Sequence, residues 1–150
     1  MTALRNPKSK TVSKPSVPGG GIAAELAALA VDGALSKKAR DVVVMDLRGV
    51  TAIADFFVIC AGESDLQVKA IAEEVERQIR EHVGEKPWHR EGLDHLQWVL
   101  LDYVDTVVHV FASERREFYA LERLWGDARI ETVPDDGTSE SVEILKAIHG

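Results

Sequence analysis

Apolar positions along the chain fall into blocks whose spacing changes from helical to extended and back. Ile22, Leu26, Leu29 and Ala30 recur at helical period, and Gly33 and Ala34 continue the same face. Lys37, Lys38 and Arg40 gather where a helix dipole is negative, so a first helix is predicted over 22–38. Two nearly continuous apolar runs follow, 41–47 and 55–61, the pattern of strands covered on both faces. Gly62-Glu63-Ser64 then opens a second helix. Ser64 and Gln67 have capping-box spacing, Val68, Ile71, Ala72, Val75 and Ile79 form the apolar stripe, and Gly84 ends it.

The run Pro87-Trp88-His89-Arg90 suits an edge strand, where proline is tolerated. The most strand-like stretch is 98–111, two β-branched and aromatic segments around Asp102-Tyr103-Val104-Asp105, and a hairpin is its natural reading. Within it, regular alternation puts Trp98, Leu100 and Asp102 on one face and Val99 and Leu101 on the other. A third helix is predicted from Ser113 to Trp125, with Phe118, Leu121 and Trp125 as core stripe, Tyr119 and Glu122 on another side, and Gly126 closing it. Residues 129–133 alternate weakly, as a small strand or simple packing, and 142–148 read as a marginal helix. The order α-β-β-α-(β)-β-β-α predicts an α/β (α+β) fold, a mixed sheet of about five strands flanked by helices.

Charge is unevenly placed. The whole chain of 150 residues carries −7, but residues 1–20 hold Arg5, Lys8, Lys10 and Lys14 and no acid. That leaves 14 basic and 25 acidic side chains, −11, on the other 130 residues. With its prolines and the Pro18-Gly19-Gly20-Gly21 run, 1–21 reads as a disordered basic extension. An acidic domain repels phosphate backbones, so direct nucleic-acid binding by the folded part is not expected, whereas a basic protein partner is. No apolar run approaches the roughly 20 residues that span a bilayer, so no membrane partner is expected. The single cysteine, Cys60, lies in an apolar run and reads as an inert core thiol, which fits a reducing, cytoplasmic compartment.

The catalytic inventory is poor. His82, His89, His95, His109 and His149 lack the close spacing of a zinc motif, and His109 reads as a residue hydrogen-bonded within the sheet. Asp102 and Asp105 could hold a divalent metal for nucleotidyl transfer, which is the alternative reading of the hairpin. That chemistry usually places its acids two apart on one strand face, whereas these lie three apart across a turn, where Asp is common for local reasons. No Gly-rich phosphate loop is present, and no metal or cofactor is expected. The binding inventory is richer: Trp98 and Tyr103 as apolar contacts, with Asp102, Asp105, Glu117, Tyr119 and Glu122 to orient a basic partner.

Several separated motifs occur together in order: Asp55-Phe56-Phe57-Val58-Ile59-Cys60-Ala61-Gly62, Ser64-Asp65 with Gln67-Val68, Trp98-Val99-Leu100-Leu101-Asp102-Tyr103, and Val107-Val108-His109-Val110-Phe111. Arg116-Glu117-Phe118-Tyr119 and Leu121-Glu122-Arg123-Leu124-Trp125-Gly126-Asp127-Ala128 complete the set. Over residues 22–128 the chain resembles the ribosomal silencing factor, or Iojap, family. The resemblance implies a nucleotidyltransferase-like topology without its chemistry, hence no enzyme. It implies a factor that docks on ribosomal protein L-fourteen of the large subunit, blocks joining of the small subunit and lowers translation during nutrient shortage. The family includes homodimers, which leaves monomer and homodimer both open for this chain. The family usually has Gly after Asp-Tyr in the hairpin turn, where this chain has Val104, and 1–21 and 129–150 lie outside its pattern.

Overall fold

A computed structural model describes residues 21–116 and 121–146. The chain runs α1 (Gly21–Ser36), β1 (Arg40–Asp46), β2 (Phe56–Gly62), α2 (Asp65–Val83), β3 (His89–Glu91), β4 (Trp98–Asp102), β5 (Thr106–Ala112), α3 (Ser113–Arg116) and β6 (Arg129–Val133). The strands form one sheet in the order β3-β4-β5-β2-β1-β6. β2 and β5 pair in parallel, and every other neighbouring pair is antiparallel. The mixed α/β reading therefore holds, with six strands rather than about five, because 129–133 pairs with β1.

Both long helices lie on one face of this sheet. α1 turns small residues inward, Ala23, Ala27, Ala30 and Ala34, all essentially buried. At Gly33 an added Cβ would stand 3.2 Å from the Val75 backbone, so a side chain there would push α2 away. α2 starts where the capping pattern places it. The Gln67 amide donates to Ser64 Oγ (3.1 Å), while the Gln67 side-chain oxygen accepts from the Glu63 amide (2.6 Å). Its Nε2 reaches the Lys37 and Lys38 carbonyls, tying the start of α2 to the end of α1. Gly84 closes the helix in the left-handed region at φ 73°.

Alternation along the strands divides the core. Val42, Val44, Phe56, Val58, Cys60, Val99, Leu101, Val108 and Val110 face the helices. Val43, Met45, Phe57, Ile59, Val107 and Phe111 face the other way. Their cover on that second side comes from Leu121, with Trp125 and Ala128 packed beside it.

The predicted third helix is described only at its start and its end. Among the described residues the helix is one turn, Ser113–Arg116, and Leu121–Arg123 is a 3-10 turn. The stripe reading treats Leu121 and Trp125 as core; Leu121 is buried, Trp125 is only half-buried, and the chain has left the helix before Gly126. Trp125 meets Phe57 edge-on at 5.4 Å, and Arg116 folds back onto Glu122, contacts that outweigh helical period over a short segment. Phe118, Glu117 and Tyr119 lie outside the described residues.

The C-terminal segment is pinned by two carboxylates. Asp32 accepts from the Ser139 amide (2.8 Å) and hydroxyl (2.6 Å), and Glu131 accepts from the Glu143 and Ile144 amides. Val142, Ile144 and Leu145 are buried against the helix-side core. Of the marginal helix predicted over 142–148, the described residues form a 3-10 turn, Glu143–Leu145, and 147–148 lie outside them. Among the described residues no helix is long and apolar enough to cross a membrane.

Candidate functional site

The hairpin sorts its own residues. β4 alternates as its sequence does, with Val99 and Leu101 buried and Trp98, Leu100 and Asp102 half-buried on the face opposite the helices. Trp98 stands across from Phe111, and Leu100 across from His109. With Trp125 this makes a partly open aromatic and aliphatic surface on the sheet face that the long helices leave uncovered. A shallow pocket of about 230 Å³ lined by Glu91, Gly92, His95, Trp98 and Leu100 adjoins it. Gly92 is required there: at φ 87° its backbone lies so close to the Trp98 carbonyl that any Cβ would collide with it.

His109 is the residue whose part the sequence did not disclose. It is buried, and its Nδ1 accepts from the Trp98 indole N–H at 3.1 Å. The ring packs edge-on against Phe57 at 4.5 Å and lies parallel to Phe111. Burial drives its pKa down to about 3, with Arg116 adding to the effect, so the imidazole is neutral at ordinary pH. The expected hydrogen bond exists, but to a tryptophan side chain. A diagonal Trp–His pair across a hairpin is legible only once the register is known.

Tyr103 departs from its expected place. It is 7% exposed and belongs to the helix-side core, on the opposite face from Trp98, so the two do not form one contact surface. Burial, and then the Glu76 charge, raise its phenol well above the ordinary range, and its hydroxyl has no partner among the described residues. The cause is parity: residue 103 follows 99 and 101 onto the buried side.

The two aspartates do local work. Asp102 Oδ1 accepts from the Val104 amide at 2.7 Å, and the Asp105 amide donates to the Tyr103 carbonyl at 3.0 Å. The Asp105 carbonyl accepts from the Asp55 and Phe56 amides, which joins the turn to the start of β2. Val104 sits between them at φ 76°, a strained place for a β-branched residue. The turn reading of this pair holds. Among the described residues no group of three or more His, Cys, Asp or Glu side chains could hold a metal ion.

Glu122 is committed internally. Its carboxylate takes both arms of Arg116 at 2.9 and 2.8 Å, and that hydrogen bonding holds it below the usual carboxylate range. Glu117 and Tyr119 lie outside the described residues. Of the expected contact residues, the second face thus brings together Trp98 and Asp102, and adds Leu100 and Trp125. Cys60 is fully buried, and burial pushes its thiol up to about 12, as fits an inert core residue.

Known proteins share this arrangement. The family model described as "Ribosomal silencing factor during starvation" matches residues 22–147, which includes β6 and the turns after it. Ribosomal silencing factor RsfS of Bacillus subtilis is 46% identical over 104 residues, covering 69% of this chain and 85% of that protein. The chloroplastic Iojap protein of Zea mays is 32% identical over 102 residues, 66% of this chain and 42% of that one. A crystal structure of a Chromobacterium violaceum protein superposes with TM-score 0.66 at 33% identity, covering 69% of this chain and 86% of that chain. One from Bacillus halodurans gives 0.62 at 42% identity, covering 73% and 97%. A six-stranded mixed sheet with one helix-covered face, the family model over residues 22–147 and the Bacillus subtilis relative over 85% of its length lead to one assignment: the chain belongs to the ribosomal silencing factor family.

Proposed function

We propose that this protein is a cytoplasmic factor that docks its second sheet face on ribosomal protein L-fourteen of the large subunit and thereby blocks joining of the small subunit. The observation that supports this reading best is the half-buried row Trp98, Leu100 and Trp125, with the Asp102 carboxylate at the hairpin end of the same face. Such a surface supplies apolar anchors in a partly desolvated setting and an acid to orient a basic partner. The −11 charge outside the N-terminal arm favours approach to a basic protein and disfavours the RNA around it. Blocking is then steric, and no catalytic step is needed. The factor would repress translation when nutrients are short.

Purified protein mixed with both subunits tests this by light scattering. Joining falls as protein is added, and undiminished joining at saturating protein overturns the proposal. Co-sedimentation with the large subunit tests the face: Trp98→Ala and Asp102→Lys lose it while melting as folded domains. Unchanged co-sedimentation of both removes that face from the site.

A further inference from the structure

We infer that His109 is a positioning residue for docking, an internal acceptor that fixes the Trp98 indole in the orientation it presents to the partner. The inference rests on the reading of Trp98 as an anchor of the docking face.

Because Nδ1 accepts from the indole N–H, the neutral ring carries its proton on Nε2. That nitrogen is buried and has no partner among the described residues. A buried N–H without an acceptor costs stability, and the rings of Phe57 and Phe111 wall the imidazole, with the Arg116 charge near enough to oppose its protonation. Packing would be served at least as well by a phenyl or a leucine side chain. What imidazole supplies there, and those side chains lack, is the acceptor at Nδ1.

Trp98 is the group that uses it. The indole is half-buried at the start of β4, tilted over Phe111 at 4.9 Å and over His109 at 6.0 Å. A half-exposed indole can hydrate its N–H by swinging outward. A buried acceptor two residues along the neighbouring strand offers that N–H an inward bond, which selects one rotamer before the partner arrives. Pre-selection of an anchor rotamer removes an ordering cost from binding. Phe57 then braces the imidazole from the β2 side, and Trp125 braces Phe57, so the anchor is held through a chain of ring contacts across three strands.

The test uses the full chain with three substitutions. In His109→Phe the ring volume stays and the acceptor goes. In His109→Asn a side-chain oxygen takes the place of Nδ1. Trp98→Ala removes the anchor. The expected result is that His109→Phe melts at or above the wild-type temperature yet binds the large subunit at least tenfold more weakly. His109→Asn binds within about threefold of wild type, although its small side chain lowers the melting temperature. The spectroscopic signature is the Trp98 indole proton, which exchanges slowly with solvent in wild type and His109→Asn and quickly in His109→Phe. His109→Leu replaces the phenyl variant if that one does not fold. Loss of binding in Trp98→Ala with full binding in His109→Phe overturns the positioning role and leaves the docking face standing. Unchanged binding in Trp98→Ala overturns the docking face, while a freely exchanging wild-type indole proton overturns the positioning role by itself.

Discussion

Arg116 and Glu122 form a two-pronged ion pair at 2.9 and 2.8 Å that bridges α3 and the 3-10 turn on the second sheet face. The pair is mostly shielded: the arginine side chain is 11% exposed and the glutamate 24%. A carboxylate that reads in sequence as a partner contact is therefore part of what shapes the surface.

Removing one member leaves the other charged and poorly solvated. Glu122→Ala is expected to destabilise the domain by roughly 3 kcal/mol, in the range for breaking a buried pair. Arg116→Met with Glu122→Leu should recover most of that loss. Urea unfolding of wild type, Glu122→Ala and the double variant measures it. A cost for Glu122→Ala below about 0.5 kcal/mol would mean that the pair behaves as an ordinary surface one.

Val104 holds a left-handed backbone at φ 76° that β-branched side chains disfavour. Glycine there relieves strain of about 1–3 kcal/mol and gives back about 0.5–1 in unfolded-chain entropy. Val104→Gly is thus expected to stabilise the protein by about 1 kcal/mol, read as a rise of several degrees in Tm. A lower Tm would show that packing of the valine outweighs its backbone strain.

Tyr103 offers a separation of core from surface. Its hydroxyl is buried without a partner among the described residues, so Tyr103→Phe removes a desolvated polar group and keeps the ring. Stability should be unchanged or higher by up to about 1 kcal/mol, and co-sedimentation with the large subunit should be unaffected. Loss of ribosome binding in a fully folded Tyr103→Phe protein would place the phenol in the interface after all.

Acid should weaken the fold in two stages. His109 has a folded pKa of about 3 against an ordinary 6.5, so between those values the unfolded state binds the extra proton and stability falls as pH falls. Its contribution is complete above about pH 6.5. On the order of 2 kcal/mol should be lost by pH 4.5. Glu122, held low by Arg116, contributes stability above its unfolded value of about 4.5 and loses it below that. Unfolding free energy measured from pH 7 to pH 4.5 should be nearly flat in His109→Phe and sloped in wild type. Equal slopes would mean that the imidazole is solvated in the native state.

Local physics accounts for what the chain determined by itself. Apolar period placed α1, α2 and the strands, and the Ser64–Gln67 spacing and Gly84 marked the ends of α2 because capping bonds and a left-handed stop are made within a few residues. The hairpin, its turn aspartates and the inert Cys60 were legible for the same reason. Parity along β4 even separated Trp98, Leu100 and Asp102 from Val99 and Leu101.

The tertiary structure decided everything that depends on which neighbour a residue meets. Helical period gives way after the 3-10 turn Leu121–Arg123, where Trp125 packs on Phe57 and Arg116 holds Glu122. Tyr103 follows the parity of Val99 and Leu101, and packing of the helices against that side is what buries its ring. His109 gained its partner through the β4–β5 register, and an acceptor eleven residues away has no signature in a linear sequence. Spacing along the chain encodes bonds that close within a turn, whereas the face a residue shares with a distant strand is set by pairing and packing, and the character of the second sheet face lies there.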